Sequence, residues 1–178
     1  MNNRRGFTLV EMLVAATIFT FMIIIITGIY TQVLDLQRRA QGAARVQENA
    51  LFVVETVARE VRVSAITSGD TGCDLPDPLT ATIVLDHPVN GVVTYAYDAA
   101  TGTITRDAGG SGPQTITSPE VRFSSFAFCV TGSGADDIQA RVTMPMVVEN
   151  TASTPAARVS VSLQTSVVSR DLATDLTN

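Results

Sequence analysis

The chain has 178 residues, which suits one modest domain with appendages, and its formal net charge is −5. All 12 basic residues are arginine, and residues 63–178 hold five of them against twelve acids. This acidic, lysine-free part shows no basic patch with interleaved aromatic residues. General binding of nucleic acid is therefore disfavoured, because phosphates need clustered cations.

The first element in chain order is an apolar run of 23 residues without a charge, Met12–Leu34. As a helix it would be about 35 Å long, which is enough to cross a bilayer. Glu11 lies at the edge of this run, and a charge within a membrane helix costs at least about 2.5 kcal/mol. A carboxylate at this position therefore calls for a functional explanation.

The residues after the apolar run argue against an ordinary cleaved secretory signal. Such signals have a shorter apolar region that small residues follow directly, whereas Asp35, Arg38 and Arg39 follow here. Arg4 and Arg5 favour an N-terminus inside the cell, although the arginines beyond the run weaken this argument. Two cysteines without metal-type spacing fit an oxidising exterior. We therefore expect one membrane span with the C-terminal part outside the cytoplasm.

Helical patterning continues beyond the membrane-length run. One apolar stripe recurs at a spacing of three or four residues; its members are Val46, Ala50, Val53, Val57 and Val61. The first strong stop is Ser68-Gly69-Asp70, so the pattern predicts one helix from about Phe7 to Ile66, roughly 90 Å long. Gly28 and Gly42 each cost about 1 kcal/mol relative to alanine. A bend or local melting is expected at either.

Beyond Gly69 the pattern changes to short strands separated by turn-rich segments with glycine and proline. The predicted strands are Ala81–Asp86, Gly91–Asp98, Thr103–Asp107, Val121–Thr131, Ile138–Val148 and Arg158–Val168. Connections of hairpin length imply an antiparallel sheet, and the apolar stripe is the surface on which it would pack. The predicted fold class is α+β: a long N-terminal α-helix whose second half packs on an antiparallel β-sheet.

The predicted dimensions carry a functional point. A body of about 110 residues has a radius of gyration near 13 Å, which is too small to cover a helix of about 90 Å. The N-terminal half of the helix is therefore expected to project from the body. It would be stable only in lipid or packed against other helices.

The stretch Arg4–Ala15, RRGFTLVEMLVA, resembles the class III signal of type IV pilins and pseudopilins. Its pattern is a basic residue, Gly, Phe, Thr, Leu, a β-branched residue and Glu, followed by the apolar run. The helix-then-sheet layout and, more weakly, the ending Ser162–Arg170 are similar to that family too. The uninterrupted helix and the VTYAYD…GTITR hairpin most resemble minor pilins or J-type minor pseudopilins of type II secretion.

This resemblance implies roles for three residues. Gly6 would precede the cut made by a prepilin peptidase, and Phe7 would become the N-methylated mature N-terminus. Loss of residues 1–6, which include two arginines, would leave 172 residues and a formal charge of −7. Glu11 would then pair with the new amine of Phe7, in its own subunit or a neighbour, which relieves the desolvation of both charges. The alternative is that Glu11 is a protonated or snorkelling residue at the membrane interface.

The resemblance also implies an organisation and a set of partners. Residues 1–6 would be a leader, 7–34 a transmembrane and assembly helix, 35–68 the amphipathic second half of the helix, and 69–178 an extracytoplasmic sheet body. The partners would be other pilin or pseudopilin subunits, the prepilin peptidase and, indirectly, an inner-membrane platform protein and an assembly ATPase. No cofactor, metal or direct nucleic-acid contact is expected.

The two cysteines are candidates for a disulfide. Cys73 follows the helix and Cys129 lies in a predicted strand, so a bond between them would tie the sheet to the helix end. The chain-entropy estimate for a loop of this length is a stabilisation of roughly 4 kcal/mol. Two unpaired buried thiols are the alternative.

Other candidates give weaker signals. His87, the single histidine, precedes Pro88 in a predicted turn, and no residue that would orient it for catalysis can be identified. Asp70, Asp74 and Asp77 lie in one loop and could offer oxygens to Ca²⁺, but their spacing does not match an EF-hand.

The sequence therefore favours a non-enzymatic filament subunit, anchored in the inner membrane by one span before assembly. A second hypothesis is a single-pass anchored binding module, such as an adhesin or sensor, that never polymerises and keeps its leader. A third is an anchored enzyme, which the lone histidine and the lack of a recognisable catalytic spacing disfavour.

Overall fold

A computed structural model of the protein describes residues 6–71, 81–133, 139–152 and 157–170. These residues form one long helix and nine strands. The helix α1 spans Leu9–Val63, and the strands are β1 (Ala65–Ile66), β2 (Thr82–His87), β3 (Gly91–Asp98), β4 (Thr103–Ala108), β5 (Gln114–Thr115), β6 (Val121–Phe126), β7 (Cys129–Thr131), β8 (Arg141–Asn150) and β9 (Ser160–Val168). The predicted α+β class is confirmed.

The strands form two antiparallel sheets where the sequence predicted one. The first sheet has the order β1-β2-β3-β4-β5, in which each strand pairs with the next along the chain. In the second sheet β8 is central: β6 and β7 follow each other along one side, and β9 pairs with Arg141–Glu149 along the other. Within the described ranges, β9 is therefore an outer strand.

The chain separates into two compact units, Met1–Ala40 and Gln41–Asn178. In the second unit the predicted apolar stripe of α1 is confirmed, because all five of its residues are at most 1% exposed. They share one hydrophobic core with inward-facing residues of both sheets, among them Ile83, Tyr95, Phe123 and Met144. Burial of the stripe against the sheets supplies much of the stability of this part of the helix.

The helix ends three residues before the predicted Ile66. Ala65 and Ile66 instead pair with Asp86 and Leu85 of β2. Residues after β9 satisfy the helix end: the Ser169 hydroxyl donates to the Ser64 carbonyl at 2.7 Å, and the Arg170 N–H donates to a carbonyl of the last helical turn. Unpaired carbonyls at a helix end need such partners, and these come from a segment about 105 residues away.

The predicted strand Val121–Thr131 is divided into β6 and β7. All residues from Phe126 to Val130 are buried, which a strand with two alternating faces cannot achieve. Pro145 of β8 lies opposite the gap and accepts a hydrogen bond from the Ala127 N–H through its carbonyl. Because proline has no N–H to donate on that side, the ladder is interrupted there.

Candidate functional site

The residues predicted to be processed lie just before α1. Gly6 is exposed and precedes the helix by three residues, and a Cβ added to it would meet no atom within 4 Å. Among the described residues, the fold therefore makes no steric demand for glycine at this position. Phe7 is 79% exposed, so both residues flank an accessible peptide bond.

Thr8 forms the N-terminal cap of α1, a role that the sequence analysis did not identify. Its hydroxyl oxygen accepts a hydrogen bond from the Glu11 N–H at 3.3 Å, and its carbonyl accepts one from the Met12 N–H. Thr8-Leu9-Val10-Glu11 has the spacing of a capping box, in which threonine is followed three residues later by glutamate. That spacing was the signal in the sequence.

Glu11 therefore lies in the first turn of the helix, where the partial positive charge of the helix dipole favours a carboxylate. Its side chain is exposed, and no ion pair to it occurs among the residues that the structure describes. The predicted pairing with the Phe7 amine concerns a terminus that is created only by cleavage. It stays a prediction.

The first part of α1 has the properties of a membrane span. It is long and apolar enough to cross a bilayer, and its most apolar stretch has no buried residue. Its threonines satisfy their hydroxyl groups within the helix: Thr17, Thr20 and Thr27 each donate to the carbonyl four residues earlier at 2.8 Å. Such internal bonds remove the need for water around these hydroxyls, as an apolar environment requires.

The second part of α1 carries a partly buried polar contact that sequence reasoning missed. The Glu60 carboxylate accepts hydrogen bonds from the Tyr95 hydroxyl at 2.6 Å and from Arg106 Nη2 at 2.6 Å. Arg106 Nε lies 3.1 Å from both carboxylate oxygens. Tyr95 and Arg106 are cross-strand partners on β3 and β4, so one carboxylate joins the helix to two strands. The signal in the sequence was the position of Glu60 directly before Val61 of the apolar stripe, which places a carboxylate next to the packed side of the helix.

The protonation properties of this cluster follow from its geometry. Burial by itself raises the pKa of Glu60, but hydrogen bonds from Arg106 and Tyr95 and the charge of Arg106 together hold that pKa below its usual value. Burial, followed by the hydrogen bond to Glu60, raises the pKa of Tyr95. At neutral pH the Glu60–Arg106 pair is therefore ionised and the Tyr95 phenol is neutral. The cluster thus has a structural role: it connects the helix to the sheet.

Cys129 lies in β7 and is 2% exposed; Cys73 lies outside the described residues. Thr71 is hydrogen-bonded to both neighbours of Cys129. Its N–H donates to the Val130 carbonyl at 3.0 Å, and its hydroxyl donates to the Phe128 carbonyl at 3.1 Å. The chain two residues before Cys73 is thus anchored beside Cys129. The disulfide stays a prediction.

His87 is the last residue of β2 and pairs with Gly91 of β3, directly before the turn in which the sequence analysis placed it. Its Nδ1 accepts hydrogen bonds from the N–H groups of Val89 and Asn90, both at 3.1 Å. The ring therefore holds the β2–β3 turn in place. This use of Nδ1 accounts for the histidine without a catalytic role.

The aspartates considered for Ca²⁺ are only partly described. Asp70 accepts hydrogen bonds from Ser133 through its N–H at 2.7 Å and its hydroxyl at 2.8 Å, and these bonds lower the pKa of Asp70. Asp74 and Asp77 lie outside the described residues. Within the described ranges, no group of three or more potential metal ligands occurs.

Comparison with known proteins identifies the N-terminal segment. Residues 1–27 match the family described as "Prokaryotic N-terminal methylation motif", and this range includes Gly6, Phe7, Thr8 and Glu11. Neither the curated proteins nor the solved structures give a match to the chain. The motif and the observed fold, a long helix packed on antiparallel sheets, thus make this a pilin-like protein with the cleavage and methylation signal of type IV pilins and pseudopilins.

Proposed function

We propose that this protein is a minor structural subunit of a type IV pilus or a type II secretion pseudopilus. The observation that carries the proposal is the N-terminal methylation motif at the start of an exposed apolar helix. Pilins are in general structural rather than enzymatic proteins, which agrees with a structural role. The chain is inserted in the inner membrane by one span, with residues 69–178 outside the cytoplasm, and then enters the filament.

The proposed maturation begins with cleavage after Gly6 by a prepilin peptidase and N-methylation of Phe7. The exposed Gly6–Phe7 bond lies before the first helical turn. This position supports binding of the segment to a protease in an extended conformation of the chain. A Cβ added to Gly6 would meet no described atom within 4 Å. A requirement for glycine there is therefore best explained by the cleft of the peptidase.

Glu11 is the proposed assembly contact. Two unit charges about 4 Å apart interact by roughly 4 kcal/mol at an effective dielectric constant near 20. This attraction offsets the cost of holding the Glu11 carboxylate and the Phe7 amine in an apolar environment. A pair formed between neighbouring subunits also fixes their axial register. A platform protein and an assembly ATPase supply the machinery for assembly.

Two measurements on the full chain in its native cells test this proposal. Mass spectrometry of the mature protein should find an N-terminus at methylated Phe7, and Gly6→Val should leave the leader attached. Glu11→Ala should be cleaved normally but lose incorporation into filaments. Glu48→Ala is the matched control, because Glu48 is an exposed glutamate of the same helix beyond the apolar run, and it should assemble like the wild type.

The opposite results have a clear meaning. An intact Met1, or a cut after the apolar run, would indicate an anchored binding module that does not polymerise, provided that Glu11→Ala also has no effect. If Glu11→Ala is cleaved normally and enters filaments as well as the wild type, the pairing of Glu11 with the Phe7 amine is refuted, whereas the proposed cleavage after Gly6 is retained.

A further inference from the structure

Strand β9 has one edge without a strand partner in the described part of the chain. Among the described strands it pairs only with β8, so on the other edge alternate N–H and C=O groups are open to a further strand. Its sequence, SVSLQTSVV, contains no charged residue and no proline, although these are common means of protecting an edge strand. Nine residues of such an edge are long enough to pair with an added strand.

A groove lies between this edge and α1. Two neighbouring cavities of about 300 and 360 Å³ share Arg62, Ser166 and Val167 as lining residues. Val54 and Ala58 of α1 line the larger one and give it an apolar wall. An extended segment on the β9 edge would find space there for the side chains that point towards the helix.

The groove has an excess of positive charge. Arg59 and Arg62 of α1 and Arg170 after β9 line it, and none of the three forms an ion pair within the described residues. Glu55 also lines the groove, but it makes no ion pair with Arg59 despite the favourable spacing of four residues. The Arg170 N–H donates to the Arg62 carbonyl at 3.1 Å, which holds these two arginines close together.

The same charges disfavour the pairing of β9 with β9 of a second copy. Exposed arginines flank the strand on both sides, Arg158 before it and Arg170 after it. Antiparallel pairing would place Arg158 of one copy near Arg170 of the other, and parallel pairing would place equal residues side by side. Like charges across a strand pair are destabilising, so the flanking charges favour a partner that carries carboxylates.

We propose that the groove between α1 and β9 binds an extended, acidic segment of another pilin-like subunit. The segment adds to the free edge of β9 through main-chain hydrogen bonds and places carboxylates against Arg59, Arg62 and Arg170, whose guanidinium groups suit bidentate carboxylate binding. This inference rests on the proposed function, because it takes the partner from the same filament.

Photocross-linking in the cells that assemble the filament tests the inference. The photoreactive residue p-benzoylphenylalanine replaces Ser166 in the full-length protein. The matched control carries it at Ser124, an exposed serine on β6 of the same sheet. The Ser166 adduct should map, by mass spectrometry, to a segment with at least two carboxylates in another protein that carries the N-terminal methylation motif. The control should not give this adduct.

Charge reversal gives the second arm. The double variant Arg59→Glu/Arg62→Glu should reduce the yield of the Ser166 adduct at least about tenfold, since like charges across an interface cost several kcal/mol. The conservative variant Arg59→Lys/Arg62→Lys should retain part of the yield. Both variants change exposed residues, and equal thermal unfolding temperatures would show that the fold is intact.

The inference would be overturned if the Ser166 variant formed no adduct. It would also be overturned by an adduct with residues 171–178 of the same chain, with a second copy of the protein, with lipid, or with a segment that lacks acidic residues. The mature N-terminus and filament incorporation are measured on the same cells. A chain that is processed and incorporated but gives no such adduct refutes only the groove. A chain that is neither processed nor incorporated refutes the proposed function, and the groove partner with it.

Discussion

Among single residues, Glu60 joins three elements of the body through one carboxylate. Its side chain is 13% exposed and that of Arg106 is 24% exposed, so this pair is less screened by water than Arg38–Asp35 or Arg45–Glu120, whose side chains are more than half exposed. Exposed pairs contribute little to stability. A buried group that loses its charged partner is costly.

We predict that Glu60→Gln lowers the free energy of unfolding by about 2–3 kcal/mol, because Arg106 loses its charged acceptor inside the protein. The measurement is denaturant-induced unfolding of the full chain in detergent micelles. Glu55→Gln is the matched control, since Glu55 is an exposed glutamate of the same helix, and it should change the free energy by less than about 0.5 kcal/mol. Equal effects of the two variants would contradict a special role of Glu60.

The pH dependence of the same comparison follows from the lowered pKa of Glu60. A carboxyl group with a lower pKa in the folded than in the unfolded state stabilises fully above its unfolded pKa, near 4.3 for glutamate. This stabilisation is lost as the pH falls through the folded pKa. The difference between wild type and Glu60→Gln should therefore be constant from about pH 6 to 7 and shrink below about pH 4. A difference that grows on acidification would contradict this assignment.

At the level of elements, the two glycines of α1 have different structural roles. The sequence predicted a bend or local melting at Gly28 or Gly42, but the helix is continuous through both. A Cβ on Gly42 would lie 2.7 Å from Asn150 Nδ2, whereas one on Gly28 would meet nothing within 4 Å. Asn150 is held in place by bonds to the Ala157 carbonyl and the Val159 N–H. Gly42 therefore permits close packing of the helix.

We predict that Gly42→Ala destabilises the full chain in detergent by about 1–2 kcal/mol, although alanine favours helix by about 1 kcal/mol over glycine. The added methyl group displaces the Asn150 amide from its hydrogen bonds. Gly28→Ala is the matched control and should not destabilise the chain. In the double variant Gly42→Ala/Asn150→Ala the two effects should not add, because both remove the same contacts. Thermal unfolding is measured on the wild type, Gly42→Ala, Gly28→Ala, Asn150→Ala and the double variant. Additive losses would exclude the Asn150 contact as the cause.

At the scale of the whole molecule, the two units of the chain have opposite relations to solvent. Within Met1–Ala40 nearly all apolar side chains of α1 are exposed, as Phe19 at 65% and Ile26 at 64% illustrate. Within Gln41–Asn178 the apolar side of the same helix is buried in a core. An exposed apolar helix of this length requires lipid or other helices around it, which agrees with anchoring in a membrane followed by assembly.

The predicted disulfide concerns the stability of the body as a whole. We expect the exported protein to contain a Cys73–Cys129 bond, supported by the hydrogen bonds of Thr71 on both sides of Cys129. Non-reducing peptide mass mapping should find the two cysteines linked, and reduction should lower the free energy of unfolding by about 4 kcal/mol. The variants Cys73→Ser and Cys73→Ser/Cys129→Ser should lose similar amounts of free energy of unfolding. Two thiols that react with alkylating agents in the exported protein would disprove the bond.

Features of this protein that depend on local pattern could be predicted from the amino-acid sequence. The apolar run, the stripe from Val46 to Val61 and the strands on either side of the β2–β3 turn follow from spacings of one to four residues, which are visible along the chain. The methylation motif is also local, because its match lies within residues 1–27 of the chain. The capping role of Thr8 was equally accessible through the T-x-x-E spacing.

Features that join distant segments of the chain became visible only in the folded structure. The end of α1 depends on Ser169 and Arg170, the division of β6 from β7 depends on Pro145 of β8, and Glu60 meets Tyr95 and Arg106 across 35 and 46 residues. No local pattern reports such contacts, because they arise when elements pack and each buried polar group must find a partner. The groove beside β9 belongs to the same class, since it exists only where the helix and an outer strand come together.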